Sequence, residues 1–358
     1  MVLRPDAPTQ PTPPRKARPQ AGFFLATCVA LAGLSPALGQ AGLFDWSAGG
    51  ATKATSSLTL ATWNMEWLMT PATYRELASR CTSQQPASHE RAFPCSPGKP
   101  MPPQRSTADF EALSRTAEEL QRTLRADVVA LQEVDGPEAA HQVFRQGWKL
   151  DCFVQRAHPQ KVGFAIRDGI PYRCNGDLST LDIDGSTRAG ADVTLYPGSR
   201  QQVRLLAVHL KSGCFDGRMD RRFSPCTKLQ EQAPIVEQWI DTRVKEGVDF
   251  AVLGDFNRQL ERDARYAAGP DENAPVNLVQ AWSDDAPRGA ILLRATEGQR
   301  YEPCDAHDRH RYYIDDILIS QSLAQKNKGR RFARLPYAPQ DQDRQLSDHC
   351  PVVWSLEP

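Results

Sequence analysis

The chain has 358 residues, 40% hydrophobic and 24% charged, a globular composition with length for one large core or two smaller ones. Its 43 basic residues balance 43 acidic ones, so no global field draws it to nucleic acid or to an anionic membrane. Any phosphate must be bound by a local site or a metal, and without a GxxxxGK(S/T) or GxGxxG loop the nucleotide-fuelled and dinucleotide readings lose ground.

The N-terminus reads as a targeting segment. Arg15-Lys16-Ala17-Arg18 is basic, and Phe23 to Leu34 is apolar but too short to span a bilayer. Pro36-Ala37-Leu38-Gly39 offers small residues for cleavage, after Gly39 or Ala41. Residues 1–39 are therefore read as a signal peptide, 40–57 as a flexible lead-in and 58–358 as one folded domain. The alternative is a retained membrane anchor. Leu25-Ala26-Thr27-Cys28 is a poor lipoprotein box, with Thr before a Cys early in the apolar run. Cleavage would leave a mildly acidic chain with no transmembrane segment, exported to the periplasm or secreted. Nothing implies a stable protein partner, and a monomer is expected.

Of nine Cys, Cys28 leaves with the leader and eight remain. An even number behind a signal peptide suggests disulfides in an oxidising compartment. No CxxC occurs, which argues against a four-Cys zinc site. Connectivity stays open, but local pairs are simplest: Cys214–Cys226 would close a cationic loop and Cys152–Cys174 would join two strand-like runs. Elimination leaves Cys81–Cys95 and Cys304–Cys350.

In chain order, Leu58 to Trp63 alternates and is β-rich, a strand with Asn64-Met65-Glu66 at its end. Residues 70–106, with two Cys and several Pro, read as a long irregular insertion. Thr107 and Asp109 cap a predicted helix to about Arg125, with Phe110, Leu113, Ala117, Leu120 and Leu124 on one face. Asp127 to Leu131 is a buried strand ending at Gln132-Glu133. Strand-like runs recur at 150–155, 163–167, 192–196 and 203–209. Residues 227–245 read as a helix, and Phe250 to Leu253 as a buried strand that Gly254 lets turn sharply. A polar stretch reaches about residue 310, and 311–320 and 351–354 are the last strands.

Polar side chains recur where these apolar strands end: Asn64 and Glu66, Glu133, His209, Asp255 and Asn257, Asp315 or Asp316, and Asp348-His349. Each alone has a plainer reading. Asp255 and Asn257 suit an Asx turn, Glu66 and Glu133 a solvated end, and His209 a satisfied core histidine. Together, carboxylates from separate strand ends are how a fold assembles a site for a hard cation.

Six stretches make the set familiar: Thr62-Trp63-Asn64, Leu131-Gln132-Glu133-Val134, Val208-His209-Leu210-Lys211, Gly254-Asp255-Phe256-Asn257, Ile314-Asp315-Asp316-Ile317-Leu318 and Ser347-Asp348-His349-Cys350-Pro351. In this order they resemble the endonuclease/exonuclease/phosphatase superfamily, from about Leu58 to Trp354. The resemblance implies an α/β four-layer sandwich, two packed mixed β-sheets flanked by helices, and makes 58–358 a catalytic domain. It implies that Asn64, Glu66, Glu133 and Asp348 bind or border Mg²⁺ or Mn²⁺. Asp255 and Asn257 would align or deprotonate the attacking water, His209 and His349 would contact the scissile phosphate, and Asp315 would orient His349. The family pattern favours Asp315 over Asp316, and strand alternation turns the two to opposite sides.

The substrate is a separate question. The Trp-x-Gly-Asp and Pro-Ala-Trp-Cys-Asp-Arg patterns of inositol phosphatases are missing: Val252-Leu253-Gly254 and Tyr312-Tyr313-Ile314 stand there. No aromatic hairpin marks a membrane-inserting sphingomyelinase. Lys211, Arg218, Arg221, Arg222, Lys228 and Arg258 could hold a nucleic-acid backbone. A secreted nuclease is the favoured expectation. A phosphodiesterase or sphingomyelinase-like lipid phosphohydrolase is the alternative, and an inactive binding protein on the same scaffold the third.

Overall fold

The computed structural model describes residues 57–83, 101–263, 265–266, 276–344 and 346–357. The expected signal peptide, the lead-in up to residue 56 and Cys95 lie outside them. The chain runs β1 (Leu58–Leu68), α1 (Pro71–Ser83), α2 (Thr107–Arg122), β2 (Val128–Val134), α3 (Pro137–His141), β3 (Trp148–Asp151) and β4 (Lys161–Arg167). It continues through β5 (Tyr172–Leu178), β6 (Gly190–Leu195), β7 (Val203–His209), α4 (Ser224–Glu246) and β8 (Asp249–Asp255). Last come α5 (Leu260–Asp263), α6 (Leu278–Trp282), β9 (Leu292–Arg294), β10 (Asp315–Ser320), α7 (Gln321–Gln325), β11 (Gly329–Arg334) and β12 (Val352–Glu357).

The strands form two six-stranded sheets, in the orders β11-β12-β1-β2-β4-β3 and β5-β6-β7-β8-β10-β9. Side chains alternate along each strand, so each sheet has two faces to bury. Leu60, Val128, Ala130 and Phe164 of the first sheet share a core with Leu205, Ala251, Leu253 and Ile317 of the second. Their neighbours Ala61, Val129 and Leu131 turn the other way and pack on Leu113 and Leu120 of α2. On the far side, Leu206, Val208 and Val252 pack on Leu229, Val236 and Ile240 of α4. The result is helix, sheet, sheet, helix. Burial on both faces explains why β2 and β8 read as unbroken apolar runs.

The topology builds one rim. β1 pairs in parallel with β2, and β7 with β8. Parallel partners end at the same edge, so Asn64, Glu66, Glu133, His209 and Asp255 gather there. β10 is antiparallel to β8 and starts where β8 ends, which brings Asp315 opposite Asp255.

Several local expectations change. The insertion is not wholly irregular: Pro71–Ser83 is helical, started by Thr70, whose hydroxyl accepts the Thr73 N–H at 3.1 Å. Ser106, not Thr107, caps α2, in a reciprocal capping box with Asp109. α4 begins at Ser224, three residues early, with Pro225 in its first turn. The last strand of the second sheet starts only at Asp315. Gly254 lies inside β8, paired with both Val208 and Asp316, and does not turn the chain. Its φ is 152° and a Cβ there would stand 2.0 Å from the Val208 carbonyl oxygen, so close backbone approach demands the glycine.

Cys152–Cys174, Cys214–Cys226 and Cys304–Cys350 are disulfide-bonded, with Cα–Cα separations of 5.3, 5.0 and 5.5 Å. Three such pairs fit an oxidising compartment. The expected Cys81–Cys95 pair falls partly outside the described residues. Among those residues no helix is long and apolar enough to cross a membrane.

Candidate active site

Strained backbone marks the rim. Glu66, Trp67, Glu133 and Asn257 have φ of 41°, 55°, 57° and 51°, in the left-handed region that side chains beyond glycine rarely adopt. Such residues cost about 1–3 kcal/mol each and persist where surrounding structure over-determines them. The strands break register at the same places, between Asn64 and Leu68 and between Leu131 and Val134. These bulges free Glu66 and Glu133 from the pleat, and both side chains line a cavity of about 300 Å³.

Asp255 is the hub. His209, Asp255 and Asp315 stand in register on β7, β8 and β10, so their side chains share a side. Asp255 Oδ2 accepts Asn64 Nδ2 at 3.0 Å and Asn257 Nδ2 at 3.1 Å, and Oδ1 accepts the Asn257 N–H at 2.7 Å. Asn257 Nδ2 also reaches the Leu210 carbonyl at 3.1 Å, which fixes its rotamer. Burial raises the Asp255 carboxyl above the usual carboxylate range, and Asp315 adds to the rise against His349 and these donors. A carboxylate held at raised basicity suits proton abstraction near neutral pH.

The two histidines differ in charge. His349 Nδ1 lies 2.7 Å from Asp315 Oδ2, and its Nε2 lies 3.9 Å from Asp255 Oδ2 and 3.7 Å from Asp348 Oδ1. Burial alone would lower this imidazole, but Asp315, Asp255 and Asp348 hold it well above its ordinary value, which favours the charged form. Tyr337 and Trp63 donate to its backbone carbonyl. His209 Nε2 faces Asp255 at 3.5 Å and Glu133 at 3.7 Å. Burial, with Arg188 and His349 close by, pushes it well below its ordinary value, which favours the neutral form. Its Nδ1 and Asp315 Oδ1 are buried with no hydrogen-bond partner among the described residues. Asp316 turns to the opposite side and accepts from the Thr296 N–H and hydroxyl.

Beside Asp255 lies an acidic corner of Glu66, Glu133 and Asp348, with Asn64. Glu66 Oε2 accepts the Asp348 N–H at 3.2 Å, Glu133 Oε2 the Trp67 N–H at 3.2 Å, and Asn64 Oδ1 the Glu66 N–H at 3.0 Å. Burial pushes the Glu66 carboxyl up to about 7, with Asp348 and Glu133 adding to it. Crowded carboxylates with spare oxygen lone pairs are what a hard divalent cation relieves, so the residues fit Mg²⁺ or Mn²⁺. Asp255, Asp315 and His349 also bring three donor atoms within 4.8 Å of one another. There the His349–Asp315 hydrogen bond uses the imidazole nitrogen, which fits acid–base work better than ligation.

The expected cations do not line the cavity. Arg258 is fully buried, bonded to Asp263 at 3.0 Å, to the Cys214 carbonyl at 2.9 Å and to the Gly217 carbonyl. It pins the loop from the interior. Lys211 donates to the Ser212 carbonyl, Arg218 pairs with Asp220, and Arg221 lies against the Cys214–Cys226 sulfurs and Phe223. Arg222 is exposed, and Lys228 pairs with Asp184. The loop contributes Ser212 and Phe215 to the cavity wall instead. Sequence reasoning missed Arg188, which lines the cavity and donates to Gln160 Oε1 at 2.8 Å. Burial lowers its pKa from the ordinary arginine value, and Glu133 and Asp255 oppose the fall. Trp67, Tyr301, His310, Tyr312, Tyr313, Ile314 and Arg334 complete the wall. Only Arg188, just before a strand, carried a sequence signal: a charge placed like the others at a strand boundary.

Comparison with known proteins accords with this geometry. Truncated TDP2 of Caenorhabditis elegans is similar over 84% of this chain and 98% of its own, at 13% identity and a TM-score of 0.51. The selenomethionine form of TDP2 from the same organism gives 85%, 75%, 13% and 0.50. At such identity these likenesses show the fold alone. No curated protein matches the chain. The model of the endonuclease/exonuclease/phosphatase family matches residues 61–349, from the strand before Asn64 to His349 itself. That span takes in every strand of the rim and every acid and histidine upon it, and the chain belongs to the endonuclease/exonuclease/phosphatase family.

Proposed function

We propose that the protein is an exported, divalent-metal-dependent phosphodiester hydrolase whose substrate is nucleic acid. One observation carries the reading: a buried basic carboxylate, Asp255, stands between an imidazolium held by Asp315 and an acidic corner fit for a cation. Water bound at Asp255 would give up its proton there as its oxygen attacks phosphorus, and the opposite P–O ester bond would break. Asn64 and Asn257 hold the carboxylate in one orientation, so little reorganisation is needed at the moment of attack. His349 donates to a phosphoryl oxygen, with its ring fixed by Asp315. Neutral His209 offers a second donor, and Arg188 pairs with the phosphate. Glu66, Glu133 and Asp348, with Asn64, would hold Mg²⁺ or Mn²⁺, which when bound neutralises charge growing on the phosphoryl oxygens.

The half-buried rings of Trp67 and Tyr312 at the cavity wall favour nucleic acid, since bases stack on such rings, whereas Tyr301 and Tyr313 are already covered by Arg334. A lipid phosphohydrolase is the second reading. It rests on Phe215 and Phe223, 42% and 47% exposed on the loop beside the cavity, where they could meet a lipid surface. Zymography of the purified protein in gels containing DNA, RNA or sphingomyelin, with and without EDTA, separates these readings. Clearing of nucleic acid that EDTA abolishes is expected. Clearing of sphingomyelin alone would replace the substrate, and none in any gel would favour an inactive binding protein.

A further inference from the structure

We infer that Arg105, at the end of the 70–106 segment, is the positioning residue that fixes the acidic corner by holding the Glu66 turn against the loop that carries Asp348. The assignment rests on the metal reading above.

The chain makes the need for it. In a regular strand successive carbonyls point opposite ways and pair with neighbouring strands. The left-handed residues Glu66 and Trp67 break that alternation and bring the carbonyls of Met65, Glu66 and Trp67 to one side. Left without donors in a half-buried place, each would cost free energy comparable to a lost hydrogen bond. Arg105 supplies them: Nη2 donates to Met65 O at 3.0 Å and Glu66 O at 2.8 Å, and Nη1 to Trp67 O at 3.2 Å. Nε and Nη2 also donate to Leu346 O, Nε at 3.0 Å. One planar guanidinium thus joins three carbonyls of the β1 exit to one carbonyl of the loop before β12. A lysine has the charge but not the fork.

The guanidinium is itself anchored. Ser106, the next residue, caps α2 in its reciprocal box with Asp109. Asp109 and Arg115 of α2 pair with Arg344 and Asp341, just upstream of Leu346. Helix and loop therefore move as one body, and Arg105 ties that body to Glu66. The Glu66 contact to the Asp348 N–H completes the link on the cavity side.

Mn²⁺ binding by calorimetry tests this on the wild type, Arg105→Ala and Arg105→Lys, with Arg115→Ala as a control that removes one ion pair of the same region while Arg344 still bridges Asp109 and Asp341 and so keeps helix and loop together. Partners of metal ligands are worth about 10- to 100-fold in affinity. Arg105→Ala should therefore bind Mn²⁺ at least about tenfold more weakly, with Arg105→Lys little better and Arg115→Ala close to wild type. Millimolar guanidinium should restore part of the affinity of Arg105→Ala. Folded Arg105→Ala with wild-type affinity would overturn the assignment and leave the metal reading standing. If Arg105→Ala does not fold, Arg105→Lys decides by the same comparison. A wild type that binds no Mn²⁺ would sink the metal reading, and this assignment with it.

Discussion

His349 and Asp315 meet across the two sheets: Nδ1 lies 2.7 Å from Oδ2, with Asp315 opening β10 in one sheet and His349 preceding β12 in the other. The contact fixes the ring's orientation and sustains its charge. Asp315→Asn keeps the shape and removes the charge. It should lower kcat by about 10² or more while thermal unfolding stays near wild type, and His349→Ala should do the same. Steady-state kinetics beside melting curves checks this. Wild-type turnover in Asp315→Asn would remove the aspartate from the account.

Two arginines are expected to separate binding from stability. Arg188 lines the cavity, so Arg188→Ala should cut kcat/KM by about 10- to 100-fold, the effect of a lost charged contact to phosphate. Arg258→Ala would leave Asp263 buried without its partner and should destabilise the fold by about 3–5 kcal/mol. Urea unfolding and kinetics on both variants decide it. The opposite pattern would mean that the two roles are assigned the wrong way round.

Asp316 gives a pH test away from the cavity. Burial pushes its carboxyl up to about 6 from 3.8, against the Thr296 hydrogen bonds. Below about pH 4 it is protonated in both states and costs nothing. As pH rises toward 6 the unfolded chain ionises first, so the folded state loses up to about 3 kcal/mol, the equivalent of that pKa change. Asp316→Asn lacks this loss. Its stability relative to wild type should therefore rise between pH 4 and pH 7, as measured by urea unfolding at both values. A difference independent of pH would contradict the account.

Gly254→Ala should yield little folded protein, because the added Cβ meets Val208 backbone, which cannot yield as a side chain can. A variant that melts near wild type would show that β7 and β8 can part at this point.

The layers were legible in the sequence where both faces of a strand are buried: Val128–Leu131 and Phe250–Leu253 announce themselves as apolar runs. β5, β9 and β11 were not, because they lie at or next to sheet edges and are too short, polar or arginine-rich to show a period. The acids and histidines at strand ends were legible because each interrupts an apolar run. What composition could not show is direction. Arg258 and Arg188 are equally cationic, yet one is spent inside on Asp263 and on the distant Cys214 and Gly217 carbonyls, while the other lines the cavity beside Gln160. The left-handed turns at Glu66 and Glu133 carry no glycine or asparagine to betray them, and so the need for Arg105 was invisible as well.

The most direct test of the central claim is the turnover of Asp255→Asn on a fluorogenic phosphodiester with saturating Mg²⁺, set against its melting curve. Asparagine preserves the shape but takes no proton, and its single amide oxygen accepts only part of what the two carboxylate oxygens accept from Asn64 and Asn257. The account predicts a loss of at least about 10² in kcat with the fold intact, the scale of a missing general base. Turnover within a fewfold of wild type would contradict it.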